Sequence, residues 1–453
     1  MSIKPFYFVT LTHSNWDEAV AFANGLPPEA TVELRLDLFP NKDPKEMVIA
    51  LNRRCLVSCR KFEDGGKWHG TEAERLKHLS RSIQGQPDWV DLEWNLSIPP
   101  VFDKYTNRTN LLRSVHVGNG VFDLEQRLHN LPKGDAFKWV GKATSLLDNL
   151  KLKKPLRLAK NLGLIVSAFL LGPKGIVSRC MQAAWGGSFT YAHPDNAQPI
   201  APGQVALCNM MLWNCHNLHA DYQLCGVIGH PVLHSLGPNY HNLRFQKLSN
   251  RTLYLPLECH DPIEARNAIE SLGLIGVSIT APLKESLPAQ LGLKGPMNTL
   301  WRKKHEKFWQ GTNTDYLALD SILNGLAAGP VLVLGDGGVA KTTKQVVLHR
   351  GWPCLLYSRR NQIPLDFIYN FKPVGLVQAT CLGMYCNDPM PFPDVIANTR
   401  STIQWGVEWV YREDTAFAKW IRNHGCDLVP GIKLFALQAS KQSDIFVGNS
   451  EGL

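Results

Sequence analysis

Long hydrophobic runs are missing from this 453-residue chain: no apolar stretch reaches the roughly 18–20 residues that a membrane-spanning helix needs. The run Leu162–Leu171 is about half that length and reads as a buried strand. Paired cysteines are missing too. The eleven cysteines are scattered without a C-x-x-C pair, which argues against a disulfide framework or a zinc ribbon. Cys208, Cys215, His216 and His219 form the densest cluster, but their spacing fits no standard metal site. Their neighbours Met210, Met211 and Leu212 point instead to a helix at a domain edge, so no metal is expected. Charge is sparse, at 19% of residues, and leans basic, with 48 Lys and Arg against 39 Asp and Glu and a net charge of +9. The basic residues are dispersed, not gathered in a stripe with interleaved aromatics. Small anionic ligands are therefore expected, and nucleic acid is not. The first ten residues enter a β-type run with neither a secretory h-region nor an Arg- and Ser-rich transit pattern, so the expected location is the cytoplasm. What the chain does have is 44% hydrophobic residues, which excludes disorder, and length for two to four domains at roughly 100–200 residues each.

Short apolar and alternating runs give eight strand candidates in the first half. They are Phe6–Leu11, Thr31–Phe39, Cys55–Arg60, Trp89–Trp94, Asn110–Val117, Ala136–Lys142, Leu164–Leu171 and Ser188–Ala192. Most intervals accommodate a helix, as in Asn15–Leu26 and Thr71–Ile83. The repeat is therefore βα, and its closed form is a (β/α)8 TIM barrel. A barrel places reactive side chains at the carboxyl ends of its strands. Glu33 and Arg35 fall in the second candidate, Arg60 ends the third, Glu93 lies in the fourth, His116 ends the fifth and Lys138 lies in the sixth. Arg179 and Gln204 follow the seventh and eighth. Burying so many ionisable groups is costly unless each is paired. A structural ion-pair network of Glu33, Arg35 and Glu93 is the bland alternative.

Lys138 stands in Ala-Phe-Lys-Trp-Val, whose apolar neighbours disfavour an ammonium and favour a nucleophilic amine. His116, on the preceding strand, is placed to act as its acid–base partner, and the two suggest imine chemistry. Lys142 is a weaker competitor for that role. In these residues the half resembles the type I 3-dehydroquinate dehydratases. The matching pieces are Glu33-Leu-Arg35-Leu-Asp37, Ser58-Cys-Arg60, Asp64-Gly-Gly66, Ser114-Val-His116, Phe137-Lys138, Gly172-Pro-Lys-Gly175 with Arg179, and Ala201-Pro-Gly-Gln204. The resemblance implies a Schiff base between Lys138 and the ketone of 3-dehydroquinate, with His116 moving protons. Arg179 and Gln204 would hold the carboxylate and hydroxyls, and Glu33, Arg35 and Arg60 would line the site. Asp64 stands where that family carries the Glu that orients the histidine, and Ile200 where it carries a Ser.

The pattern restarts with a strand at Gln223–Ile228 and a Gly- and Pro-punctuated loop. That loop carries Ser235 ahead of a helix, a place to present a hydroxyl and backbone N–H groups to an anion. Thr280 with Lys284, Asn298-Thr299 and Asn313-Thr-Asp315 follow at strand ends or turns. The strand Pro330–Leu334 then runs into Gly335-Asp-Gly337-Gly338-Val-Ala340 and a helical run, Thr343–His349. This matches the dinucleotide fingerprint G-x-G-x-x-A and falls one residue short of a Walker A loop. The next strand, Pro353–Tyr357, ends in Ser358-Arg359-Arg360, where an NAD enzyme carries an acid. Arginine there suits a 2′-phosphate, so the expected cofactor is NADP(H). Asp336 is expected to weaken pyrophosphate binding unless it points away.

With these pieces in order, the half resembles shikimate dehydrogenase, adding Thr380, Gly431 and Gln438-Ala to the matching positions. The resemblance implies Lys284 and Asp315 as the acid–base pair at the reduced carbonyl, and Ser235, Thr280, Asn298 and Gln438 as ligands of the carboxylate and hydroxyls. Gly335, Gly337, Gly338, Ala340, Ser358, Arg359, Arg360, Thr380 and Gly431 would form the cofactor site. Gly237 replaces a serine of that family and Ser278 an asparagine, which suggests relaxed specificity toward quinate. A ligand-sensing homologue with impaired catalysis is the rival reading. The whole chain thus reads as a fused dehydratase and dehydrogenase acting on 3-dehydroquinate, 3-dehydroshikimate and shikimate. The expected division is a barrel at 1–219, a substrate domain at 220–326 with a C-terminal helix at 433–453, and an α/β Rossmann nucleotide domain at 327–432. No flexible linker separates the halves near Asn217–Tyr222, so a fixed arrangement is expected.

Overall fold

The computed structural model describes residues 6–100, 102, 108–131, 135–195, 197–303 and 306–448. Residues 1–5 of the opening run and 449–453 of the expected C-terminal helix lie outside the described residues. The chain forms two compact units, Met1–Leu274 and Ile275–Leu453.

In the first unit, β1 (Phe6–Thr10), β2 (Ala30–Arg35), β3 (Cys55–Ser58), β4 (Trp89–Glu93), β5 (Asn110–His116), β6 (Ala136–Lys142), β7 (Ile165–Leu171) and β8 (Phe189–His193) pair in parallel in chain order, and β1 returns to β8. The interval between β7 and β8 is bridged by Ser188 N–H, which donates to Val166 O at 2.8 Å. The eight expected strands therefore close as a TIM-type barrel, with a short β9 (Val205–Ala206) added beside β8. The second strand ends sooner than expected. Leu36–Leu38 turns as a 3-10 helix, because the Asp37 carboxylate draws in Arg35 and the N–H groups of Arg60 and Lys67.

Strand alternation decides what faces the barrel axis. Phe6 and Phe8 of β1, Leu56 of β3, Trp89 of β4, Leu112 of β5, Ala136 and Val140 of β6, Phe169 of β7 and Phe189 and Tyr191 of β8 share one buried cluster. At the carboxyl ends the same faces carry Thr10, Glu33, Ser58, Asp91, Ser114 and Lys138, all buried. The apolar floor thus supports a polar layer.

The first unit continues through the parallel pair β10 (Gln223–Gly229) and β11 (Thr252–Glu258), with helices Gly237–Lys247 and Pro262–Ser271. Polar ties join this segment to the barrel. Glu264 accepts Lys174 Nζ at 2.6 Å and Leu146 N–H at 2.9 Å, and Trp213 Nε1 donates to Asn239 Oδ1 at 2.8 Å.

The second unit opens with β12 (Leu274–Ile279), β13 (Thr299–Trp301) and β14 (Gln310–Thr312), antiparallel neighbours in that order. A parallel sheet follows: β15 (Val331–Leu334), β16 (Cys354–Tyr357), β17 (Gly375–Gln378), β18 (Trp405–Glu408) and β19 (Asp427–Val429), in the spatial order β16-β15-β17-β18-β19. This Rossmann order reverses at β15, and such a switch point opens a crevice at the strands' carboxyl ends. The helical run expected from Thr343 begins earlier, at Gly338 inside the glycine loop. Among the described residues no helix is long and apolar enough to cross a membrane.

Candidate active sites

Lys138 is 1% exposed and ion-paired with Asp91 of β4, and Ser114 hydrogen-bonds the same carboxylate. The environment differs from the apolar one expected from Phe137 and Trp139. Alternation turns those two outward, where Trp139 donates to Asp123 at 2.8 Å, and brings Lys138 against residues of neighbouring strands. Burial pushes the Asp91 carboxyl up, but the Lys138 and Arg60 charges outweigh it and hold it below its ordinary range. Lys142, by contrast, is exposed at the end of β6.

His116 ends β5, and its Nε2 lies 2.6 Å from Arg60 Nη1. A guanidinium only donates, so Nε2 is the lone-pair nitrogen and the imidazole is neutral. Burial first, then the charges of Arg60, Lys138 and Arg35, hold His116 well below the usual histidine range. Asp64 lines the same pocket with Arg60, Asp91, Glu93 and Ser114, yet its side chain is exposed on the turn Phe62–Asp64. The partner on the ring is Arg60.

The alternative of a single ion-pair network of Glu33, Arg35 and Glu93 is not what forms, because each has a different partner. Arg35 is bidentate to Asp37 (Nε–Oδ1 2.8 Å, Nη2–Oδ2 2.5 Å), Glu33 accepts Thr10 Oγ1 at 2.5 Å and Ser58 Oγ at 3.1 Å, and Glu93 takes Arg75 at 2.8 Å. Arg179 is different. It is 1% exposed, lies 4.3 Å over the Phe169 ring, and its Nε and Nη2 have no hydrogen-bond partner among the described residues. Burial pushes its pKa down to about 10. Gln204 Nε2 donates to Ala192 O at 3.0 Å while its Oε1 is buried without a partner. Ile200 is exposed.

In the second unit Lys284 Nζ lies 2.6 Å from Asp315 Oδ2. Asn298 Oδ1 accepts Thr314 N–H at 2.8 Å and both the Thr299 and Thr314 hydroxyls, which leaves its NH2 end as the available donor. Gln438 Oε1 accepts Thr314 Oγ1 at 3.2 Å. Ser278 donates to Gln442 Oε1 at 2.9 Å, so the serine has a helix partner of its own. Thr280 is half-buried beside this group. Ser235 belongs to the first unit, where its Oγ accepts Gly237 N–H at 3.1 Å. A Cβ on Gly237 would meet Ser235 Oγ at 3.2 Å and Tyr254 Cε1 at 3.3 Å, a packing reason for glycine there.

The glycine loop bears the marks of close approach. Gly335 has φ +126°, and a Cβ would lie 2.8 Å from Ala379 O. Gly337 and Gly338 face open space except for Lys284 Cδ, 3.9 Å from the Gly338 Cβ position, so the loop and the acid–base pair adjoin. Helix Gly338–His349 has no side-chain cap, and its first N–H groups are open to an anion. Asp336 turns away to accept Ser358 Oγ at 3.1 Å, which answers the conflict expected from its charge. Arg359 and Arg360 are exposed, with no ion pair to either among the described residues. Ala340 is buried in the helix and Thr380 is fixed by Gln378 at 2.6 Å. Gly431 has a packing role: a Cβ would come 2.2 Å from Val410 O.

Sequence reasoning passed over Asp91, Tyr191, Thr314 and Gln442. Gln442 had a usable signal, being four residues beyond Gln438 and so on the same helix face.

A parallel barrel with a buried lysine–carboxylate pair beside a neutral histidine, followed by a Rossmann sheet with a lysine–aspartate pair at its glycine loop, defines an imine-type lyase joined to a dinucleotide oxidoreductase. The chain matches the model of type I 3-dehydroquinase over residues 7–211 and that of the shikimate dehydrogenase substrate binding domain over 227–293. The bifunctional 3-dehydroquinate dehydratase/shikimate dehydrogenase of Arabidopsis thaliana chloroplasts is 23% identical, over 92% of this chain and 77% of that protein. The 3-dehydroquinate dehydratase of Dehalococcoides mccartyi is 30% identical, over 40% of this chain and 83% of its own length. The shikimate dehydrogenase (NADP(+)) of Rubrobacter xylanophilus is 27% identical, over 51% and 93%. The chain belongs to the family of type I 3-dehydroquinases fused to a shikimate dehydrogenase.

Proposed function

We propose that the chain dehydrates 3-dehydroquinate to 3-dehydroshikimate in its barrel and reduces that product to shikimate with NADPH in its second half. The observation that carries the reading is the Lys138–Asp91 pair on the barrel axis beside the neutral His116. Lys138 Nζ attacks the substrate ketone, and its proton has Asp91 as the nearest acceptor. The iminium then draws electrons from the adjacent carbon, whose proton His116 Nε2 accepts once Arg60 yields that lone pair. The proton is afterwards delivered to the leaving hydroxyl. The unpartnered Arg179 guanidinium holds the substrate carboxylate, Gln204 its hydroxyls, and Glu33, Arg35 and Arg60 shape the wall.

In the second half, NADPH supplies a hydride to the carbonyl carbon when bound. Gly335, Gly337, Gly338 and Ala340 would admit the pyrophosphate, Thr380 and Gly431 would complete the loop surroundings, and the exposed Arg359 and Arg360 would take the 2′-phosphate, the Ser358 hydroxyl being held by Asp336. Lys284, ion-paired with Asp315, faces the oxygen on which negative charge grows. Asn298, Thr280 and Gln438 bind the carboxylate and hydroxyls. A cytoplasmic location fits these small anionic substrates.

The experiment supplies 3-dehydroquinate with NADPH and follows shikimate and NADPH together. Borohydride with 3-dehydroquinate alone should add ligand mass to the Lys138 peptide. Labelling at Lys142 instead, or no turnover of either substrate, sinks the reading.

A further inference from the structure

The polar layer of the barrel holds one group that the proposed chemistry does not use. In a parallel barrel, residues from alternate strands share a layer. Glu33, Asp91, Lys138 and Tyr191, from β2, β4, β6 and β8, are such a set. Lys138 is bound to Asp91, its Nζ lies 5.1 Å from the centroid of the Tyr191 ring, and the charges of Glu33 and Asp91 both act on the phenol. Three members have polar partners: Glu33 has Thr10 and Ser58, Asp91 has Lys138 and Ser114. The fourth has none. Tyr191 is 5% exposed and its Oη is buried without a hydrogen-bond partner among the described residues.

An unpaired buried hydroxyl is costly, and phenylalanine would fill the same aromatic cluster of Phe8, Phe169 and Phe189 without that cost. The hydroxyl therefore marks a ligand atom, and the position of its ring, with Lys138 Nζ 5.1 Å over the centroid, restricts which one. We infer that Tyr191 Oη donates a hydrogen bond to the oxygen on the substrate carbon that bonds to Lys138 Nζ.

This rests on the dehydratase reading. As Nζ adds to the ketone, its electron pair forms the C–N bond and the C=O electrons move to oxygen. The Tyr191 O–H stabilises that oxygen, which takes up in turn the two protons that the Lys138 ammonium gives up, the first by way of Asp91, and leaves as water while the nitrogen pair forms the iminium. Tyr191 keeps its own proton throughout. Burial first, then Glu33 and Asp91, raise the phenol well above its ordinary range against Arg60, so it remains a donor at any working pH.

The test is Tyr191→Phe in the full chain, which keeps the ring and removes only the oxygen. NADPH-dependent reduction of 3-dehydroshikimate by the same preparation reports that the chain is folded. Single-turnover mixing with 3-dehydroquinate, quenched by borohydride at intervals, gives the rate of mass addition at Lys138. That rate should fall about 100-fold, with kcat reduced and KM nearly unchanged. Trapping at the unsubstituted rate, whether or not turnover is slowed, overturns the inference. If the unsubstituted protein neither traps nor turns over 3-dehydroquinate, the dehydratase reading fails and the role of Tyr191 fails with it.

Discussion

Arg179 should make the ligand-free barrel less stable than it needs to be. Its guanidinium is buried with two nitrogens unpaired, and burial lowers its pKa from the ordinary arginine value to about 10. At 1.36 kcal/mol per pKa unit, that difference makes the charged form about 3 kcal/mol less favourable in the folded barrel than in the unfolded chain. The sign follows from linkage: the folded state releases this proton more readily, so the penalty is full at neutral pH and relieved only as pH rises through about 10. The contact with the Phe169 ring is already part of the native state, and losing it returns about 1 kcal/mol. Arg179→Met, similar in reach and apolar, should therefore stabilise the barrel by about 2 kcal/mol. Amide exchange in β7 and β8 is the suitable assay, because it reports barrel opening without interference from the second unit. The same variant should lose the stabilisation that 3-dehydroquinate gives the unsubstituted chain. A variant less stable than its parent, or one still stabilised by substrate, would refute the argument.

Three further outcomes are expected. Because His116 is held well below the usual histidine range, dehydratase kcat/KM should stay level as pH falls through about 6.5, and Arg60→Met should move its acid limb upward; a limb already at 6.5 in the unsubstituted protein contradicts the Arg60 contact. Arg359→Ala should raise KM for NADPH at least tenfold, about 1.4 kcal/mol, with NADH little affected, and equal losses would remove the 2′-phosphate role. Asp315→Asn should lower reductase kcat by about 100-fold while leaving borohydride trapping at Lys138 intact, which stopped-flow NADPH absorbance and peptide mass analysis check together.

The barrel was legible because its strands are short apolar runs at regular spacing, and because ionisable residues at strand ends betray a site. Lys138 and His116 announced themselves by charge amid apolar neighbours. Asp91 did not, since in Trp-Val-Asp-Leu-Glu it resembles any strand acid, and only the register of β4 against β5 and β6 reveals what it faces. Tyr191 was hidden for the opposite reason: aromatics in strands are ordinary core, and a missing hydrogen bond has no trace in sequence. The misread surroundings of Lys138 show the same limit. Sequence neighbours are strand faces apart, and real neighbours come from other strands. The turn at Leu36–Leu38 escaped because a side chain, Asp37, ends the strand where the hydrophobic pattern continues.

The Glu264 carboxylate, carried by the segment after β11, closes on Lys174 and on the Leu146 amide of the barrel. A barrel severed after His219 would keep that ammonium and that amide with no acceptor, at the very loop that leads to Arg179. Isolating the barrel therefore exchanges one carboxylate for water at that loop, a small change in stability that falls close to the arginine proposed to hold the substrate.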